Sequence, residues 1–324
     1  MPISPSEKRT LLERYNRNGF VVVPSVFAPL QLLAIKHRIA REVDALATTL
    51  ARAGRIENTH AGQPLQRRLA LLGSQCDVAK RSWGDCVQGP ELHGIVTNVR
   101  LLDAVETLLG RSGFAFHGST CRPKLPVFCE GSERASQPYH QDSQYFDSDE
   151  SGRVSSAVRG EPSTSTANMH IISCWLPLCD CNAENGQLYF LPGSHKFGLQ
   201  GGQRDGNGNM RSDADPSERF GVQAVGVPVS EGCAILFSNL TFHGSGLNYT
   251  HEIRWSLDWR YSAHPHSEQW SEMTLREQMA TIEWYRKMRA VDTSFGRGMV
   301  VRGQGTLPAQ AWEVKWRDAN ASKL

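Results

Sequence analysis

Long apolar runs are missing from this chain. No stretch approaches the length of a transmembrane helix, and no apolar segment after Met1 resembles an export signal. A surplus of charge is missing too. With 35 Lys and Arg against 33 Asp and Glu, the formal net charge is +2 and spread along the chain, so no basic face offers itself to nucleic acid or an anionic membrane. No Cys-x-x-Cys occurs among the eight cysteines, at 76, 86, 121, 129, 174, 179, 181 and 233. The thiols therefore read as reduced, in an intracellular protein, and Cys179 with Cys181 lacks the spacing of a zinc knuckle. The glycine-rich segment from Phe197 to Arg219 has no Gly-Lys-Ser/Thr, which excludes a phosphate-cradling loop and leaves a surface loop or lid.

What is present is enough apolar material for a sizeable core, 40% of 324 residues, with no linker splitting it. Ser4, Pro5 and Glu7 have the shape of a capping box, which predicts a helix over 5–18 stopped by Gly19. Phe20 to Val23 reads as a strand. Pro29 opens an amphipathic helix to about Ala53 with Leu33, Ile39, Val43 and Leu46 on its apolar face, and a second helical region covers 91–109. Strands are expected near 114–122, 137–142, 169–176, 187–191, 222–229, 233–238 and 252–261. The fold class is mainly β with flanking helices, the strands closing into a double-stranded β-helix of jelly-roll or cupin type that leaves no exposed sheet edge. One domain over 1–324 is expected, helical to about 112, barrel over 113–263, and a helical extension over 264–324.

The chemistry concentrates at His140, Asp142 and His243. On a strand, residues two apart share a face, so His140 and Asp142 could grip one ion while Gln141 points elsewhere. His243 ends an apolar strand at a glycine-flanked turn, as a ligand at a barrel mouth should. Two imidazoles and one carboxylate leave three positions of an octahedral metal open, the pattern of non-haem Fe(II) oxygenases. His-x-Asp alone is weak evidence, since eleven histidines make it arise readily by chance.

Its surroundings are more specific. Asn18-Gly19-Phe20, Leu101-Leu102-Asp103, Lys124-Leu125-Pro126, Trp175-Leu176-Pro177, Glu184-Asn185-Gly186, Leu191-Pro192-Gly193-Ser194-His195 and His243-Gly244-Ser245 with Arg254 run in order over 15–262. In this the chain resembles the phytanoyl-CoA dioxygenase family of Fe(II)/2-oxoglutarate-dependent oxygenases. The resemblance implies Fe(II), 2-oxoglutarate as cosubstrate and O2, with His140, Asp142 and His243 as metal ligands. Arg254, eleven residues after His243, would hold the distal carboxylate of 2-oxoglutarate through a two-point fork, with Ser245 hydrogen-bonding the same group. Gln141 and Trp175 would flank the cosubstrate, and Lys124 aligns with a family lysine. Asp142 fills the position that halogenating relatives leave small, so halogenation is disfavoured. Hydroxylation, desaturation and ring formation stay open.

Two readings of the substrate follow from the resemblance. One is a hydrophobic specialised metabolite, as for relatives that tailor alkaloids or terpenoids; the other is a peroxisomal acyl-CoA, with Arg67, Arg68, Lys80 and Arg81 as candidate phosphate contacts. A polar segment from Asp147 to Thr166, longer than is usual in the family, favours the first. A nucleic-acid demethylase, suggested by Arg254 and Arg260 six apart, lacks a basic stripe; an idle metal-binding barrel would have lost a ligand. The last residues, Ser322-Lys323-Leu324, spell a peroxisomal address, so an import receptor is an expected partner in a eukaryotic host and a cytoplasmic location otherwise. The region from Ser267 to Arg289 reads as an amphipathic helix packing on the barrel or on a second copy, which would make a homodimer.

Overall fold

The computed structural model describes residues 2–78, 83, 86–87, 90–110, 114–154, 165–263, 274, 277–279 and 299–302. Helix α1 (Pro5–Asn18) begins as its sequence dictates: Ser4 accepts the Glu7 amide on its side chain, and Pro5 takes the first helical position. It stops at Gly19, whose φ of 82° is left-handed. Strand β1 (Phe20–Val23) follows, then α2 (Pro29–Arg52), which buries Leu32, Ile35, Ile39, Val43 and Ala47 along one stripe. Leu33, expected on that stripe, is exposed instead. Helix α3 (Leu65–Gly73) has no counterpart among the expected elements. The single helix expected over 91–109 is two, α4 (Pro90–Val96) and α5 (Val99–Leu109), because Asn98 accepts the Leu101 amide and caps the second.

The strands are β2 (Phe114–Lys124), β3 (Arg153–Val154), β4 (Ile171–Pro177), β5 (Leu188–Phe190), β6 (Gly202–Arg204), β7 (Met210–Ser212), β8 (Val225–Val227), β9 (Ala234–Ser238), β10 (His243–Ser245), β11 (Arg254–Ala263) and β12 (Met299–Arg302). Two short helices interrupt them, α6 (Asp142–Phe146) and α7 (Pro216–Phe220). An antiparallel sheet runs β1-β9-β4-β11-β2-β12 and a smaller one β10-β5-β8. Phe20, Trp175, Ile235 and Phe237 of the first pack with Leu188, Phe190 and Val227 of the second, so the two sheets face each other as a jelly roll.

Alternation assigns each side chain to a face. On β11, Trp255, Leu257, Trp259 and Tyr261 join the core under α1–α5, while Arg254, Ser256, Asp258 and Arg260 turn into the barrel. Strand β4 does the same, with Ile172, Cys174 and Leu176 outward and Ser173 and Trp175 inward. The helices thus seal one face of the large sheet and leave the other free for polar chemistry.

The expected strand over 137–142 is not formed. His140 makes one isolated bridge to His243, and at Gln141 the chain leaves extended geometry to open α6. The physical reason is local: the Gln144 side chain accepts the Gln141 amide across the first turn, a capping contact that favours helix over a ladder. The glycine-rich segment after Phe197 is also more ordered than a loop, forming the hairpin β6–β7, to which β3 adds a third strand, and α7. Residues 155–164 of the polar insertion, most of the expected 267–289 helix and Ser322-Lys323-Leu324 lie outside the described residues.

Candidate active site

His140 and His243 face each other across the barrel mouth because their backbones bond reciprocally, each amide donating to the other's carbonyl at 3.0 Å. Each ring is then oriented by its own chain: His140 Nδ1 lies 2.8 Å from the Pro138 carbonyl and His243 Nδ1 lies 3.0 Å from that of Thr241. A carbonyl only accepts, so Nδ1 carries the proton and the Nε2 lone pair of each ring is left free. Burial, followed by the neighbouring imidazole, pushes His140 down to about 3; burial also lowers His243. Both rings are thereby kept neutral, the form that ligates a metal.

Asp142 completes the group. It enters not by strand alternation but as the first residue of α6, and its Oδ1 lies 3.9 and 3.8 Å from the Nε2 atoms of His140 and His243. Ligand atoms of all three side chains lie within 4.8 Å of one another, and all three residues are buried. The two oxygens of Asp142 are treated unequally. Oδ2 accepts from Ser173 and lies 3.0 and 2.9 Å from Arg260 Nε and Nη2, whereas Oδ1 is buried with no hydrogen-bond partner. Such an orphan costs about 1–3 kcal/mol unless something fills the gap, and a divalent cation between the three donors would fill it. Burial by itself would raise Asp142, but the Arg260 guanidinium and the Ser173 hydroxyl overcome it and hold the carboxylate ionised.

Behind Asp142 runs an ionic chain, buried at Asp258 and open at Arg122, that sequence reading did not assemble. Arg260 Nη1 pairs with Asp258 Oδ1, and Asp258 Oδ2 pairs with Arg122 Nε. A signal was available: Arg254, Ser256, Asp258 and Arg260 alternate with large apolar residues, which on a barrel strand turns three charged groups inward. Arg260, notable in the sequence for its spacing from Arg254, has Asp142 as its partner.

A cavity of about 480 Å³ opens over this centre, within the usual range for small-molecule sites. Lys124, Trp175, Ser245 and Arg254 line one end of it. Strand pairing sets Arg254 opposite Lys124. The Arg254 guanidinium lies 5.1 Å from the centre of the Trp175 ring, with Nη1 donating to Ser256 Oγ at 2.6 Å and Nη2 to the Gly186 carbonyl at 2.9 Å. Its Nε is buried without a partner, a second orphan. Gly186 sits at φ +84°, where an added Cβ would meet the Gly246 carbonyl and Lys124 Cε, both at 2.9 Å, so the acceptor that orients Arg254 requires glycine. Lys124, 3% exposed, donates to Ser245 Oγ at 2.8 Å; burial, then Arg254 and Arg122, lowers it well below the usual lysine range. An anion seated between these cations would relieve both costs.

Gln141, expected beside the cosubstrate, is not among the residues that line the cavity. It is fully buried, and its side chain donates to the Gly198 and Leu240 carbonyls and accepts the Gln200 amide. Those bonds use its whole carboxamide, so it ties the segment after Phe197 to the barrel and does not line the cavity.

Comparison with known proteins agrees with this geometry. The model of the family described as phytanoyl-CoA dioxygenase (PhyH) matches residues 15–256. The peroxisomal phytanoyl-CoA dioxygenase of Bos taurus is 24% identical over 255 residues, covering 76% of this chain but only 66% of that protein. Among solved structures, the apo form of the non-haem monooxygenase ThoJ gives a TM-score of 0.55 at 20% identity, over 96% of this chain and 95% of that one. Its nickel complex gives 0.50 at 19% identity, over 97% and 96%; both are likenesses of fold. The family match runs over most of the chain and leads to one conclusion: the chain belongs to the phytanoyl-CoA dioxygenase (PhyH) family.

Proposed function

We propose that His140 Nε2, His243 Nε2 and Asp142 Oδ1 hold the iron, that Arg254 with Ser245 and Lys124 receives the distal carboxylate of 2-oxoglutarate against Trp175, and that the rest of the cavity takes an apolar small molecule of specialised metabolism. The unpartnered Asp142 Oδ1, buried and aimed at two free imidazole lone pairs, carries this reading. The chemistry supplied there is oxidative decarboxylation of 2-oxoglutarate to succinate and CO2, coupled through O2 to oxidation of one substrate C–H bond. The chain's residues prepare it: the Pro138 and Thr241 carbonyls fix both tautomers, and Arg260 and Ser173 occupy the second oxygen of Asp142. That leaves Asp142 a one-oxygen donor and conserves open positions for cosubstrate and O2.

An acyl-CoA substrate, by analogy with the bovine relative, is the competing reading. It needs cations free for phosphates. Of the four candidates, Arg68 is spent on Asp44 and the Thr59 carbonyl, Arg67 is exposed, and Lys80 and Arg81 lie outside the described residues. The engaged Arg68 leaves one fewer cation for the CoA portion. The test is succinate release from 2-oxoglutarate across terpenoid, alkaloid and acyl-CoA candidates, beside iron content of His140→Ala, Asp142→Ala and His243→Ala. Turnover with a non-CoA compound and loss of iron in each variant are expected; three variants with wild-type iron content would overturn the ligand assignment.

A further inference from the structure

Among the cations that line the cavity, Arg122 stands apart. Arg122 lines the void beside Asp258, Arg260, Tyr145 and Trp83. Arg260 has all three nitrogens engaged, two on Asp142 and one on Asp258. Arg254, whose terminal nitrogens each spend one N–H on Ser256 and Gly186, is already assigned to the cosubstrate. Arg122 differs: only its Nε is used, on Asp258, and among the described residues neither Nη1 nor Nη2 makes a hydrogen bond. Its side chain is 45% exposed, against 18% for Arg260.

Asp258 is shared between the two guanidiniums, and the remaining nitrogens of Arg260 are taken by Asp142. The free part of Arg122 is its planar pair of terminal amino groups, held in direction by the Nε contact, and a fork prepared in this way loses little freedom when a carboxylate docks.

We propose that Arg122 anchors a carboxylate on the substrate, so that the molecule oxidised is an organic acid with an apolar body. This rests on the reading of the cavity as the substrate chamber of an iron and 2-oxoglutarate enzyme, and it narrows that reading. The acid end pairs with Arg122, the apolar body fills the space toward Trp83 and Phe146, and the C–H bond to be oxidised is presented to the metal side.

The experiment titrates Fe(II)-loaded, 2-oxoglutarate-bound protein, held free of O2, with matched pairs of one body and two ends: decanoate and decanamide, 2-naphthoate and 2-naphthamide, and a tricyclic diterpene acid and its amide. Wild type is expected to hold at least one acid about tenfold or more tightly than its amide. Arg122→Gln should erase that preference and Arg122→Lys restore part of it. Iron and 2-oxoglutarate binding measured on the same samples report whether each variant is folded; if Arg122→Gln is not, the wild-type preference and Arg122→Lys decide. Acids and amides bound alike, no acid bound at all, or a preference surviving Arg122→Gln overturns the assignment of Arg122 while leaving the metal site standing. So does a loss in Arg122→Gln of 2-oxoglutarate affinity without loss of acid preference, which would move Arg122 to the cosubstrate. A wild type that takes up neither iron nor 2-oxoglutarate overturns both readings.

Discussion

Arg254 and Arg260, on the same inward face of β11, divide two tasks that their spacing alone does not distinguish. Arg254 is stacked on Trp175 with a buried, unpartnered Nε, and a lysine there would keep the charge but lose the fork. Arg254→Lys should weaken 2-oxoglutarate binding by about 2 kcal/mol, roughly thirtyfold, as read by titration; unchanged affinity would put the cosubstrate elsewhere. Arg260 acts through Asp142. Arg260→Gln should lower metal affinity by about 10–100-fold, read against a competing chelator, and alter the visible spectrum of the Co(II)-loaded protein as the freed Oδ2 swings onto the metal. A variant with wild-type affinity and spectrum would reduce Arg260 to a packing ion pair.

Among the elements, the segment from Phe197 to Phe220 is the one whose character depends on contacts distant in sequence. Gln141 reaches Gly198, Gln200 and Leu240, and Gln144 reaches Gln200 and Gly201, so two glutamines on either side of a metal ligand clamp the entry to the β6–β7 hairpin. Gln141→Leu leaves those backbone groups unpaired. Amide exchange over 198–201 should quicken while 2-oxoglutarate affinity moves little; a fall comparable with Arg254→Lys would return Gln141 to the cosubstrate pocket. The contrast with Lys124 is instructive, since a lysine that could equally have sat at the surface is 3% exposed and bonded to Ser245.

For the whole molecule, the proposed metal ligands come from β10, α6 and the His140 bridge, and they converge only in the folded state. Ligand binding should therefore stabilise the fold by linkage. Metal at about a hundred times its dissociation constant contributes about 2.7 kcal/mol, which for a chain of this size is roughly 4 °C in Tm. Scanning calorimetry with and without Co(II) checks it. Asp142→Ala should show no such rise, and a rise as large as wild type would mean that the metal binds elsewhere.

The sequence by itself determined the local and periodic features. Capping at Ser4, the stop at Gly19, the stripe through Ile39 and Val43 and the alternation along β11 are set by residues within a turn or two of each other, and each is found where it was expected. His140, Asp142 and His243 were legible because their order and company are distinctive, and the structure brings their ligand atoms together. What only the tertiary structure decided is how that happens. Asp142 arrives from a helix start, Gln141 is drawn to a hairpin some sixty residues on, and Arg122, Asp258 and Arg260 form one chain ending on Oδ2 of Asp142. These outcomes turn on which buried polar atom finds which partner. That is settled by desolvation and contact between segments far apart in sequence, and local spacing carries no record of it.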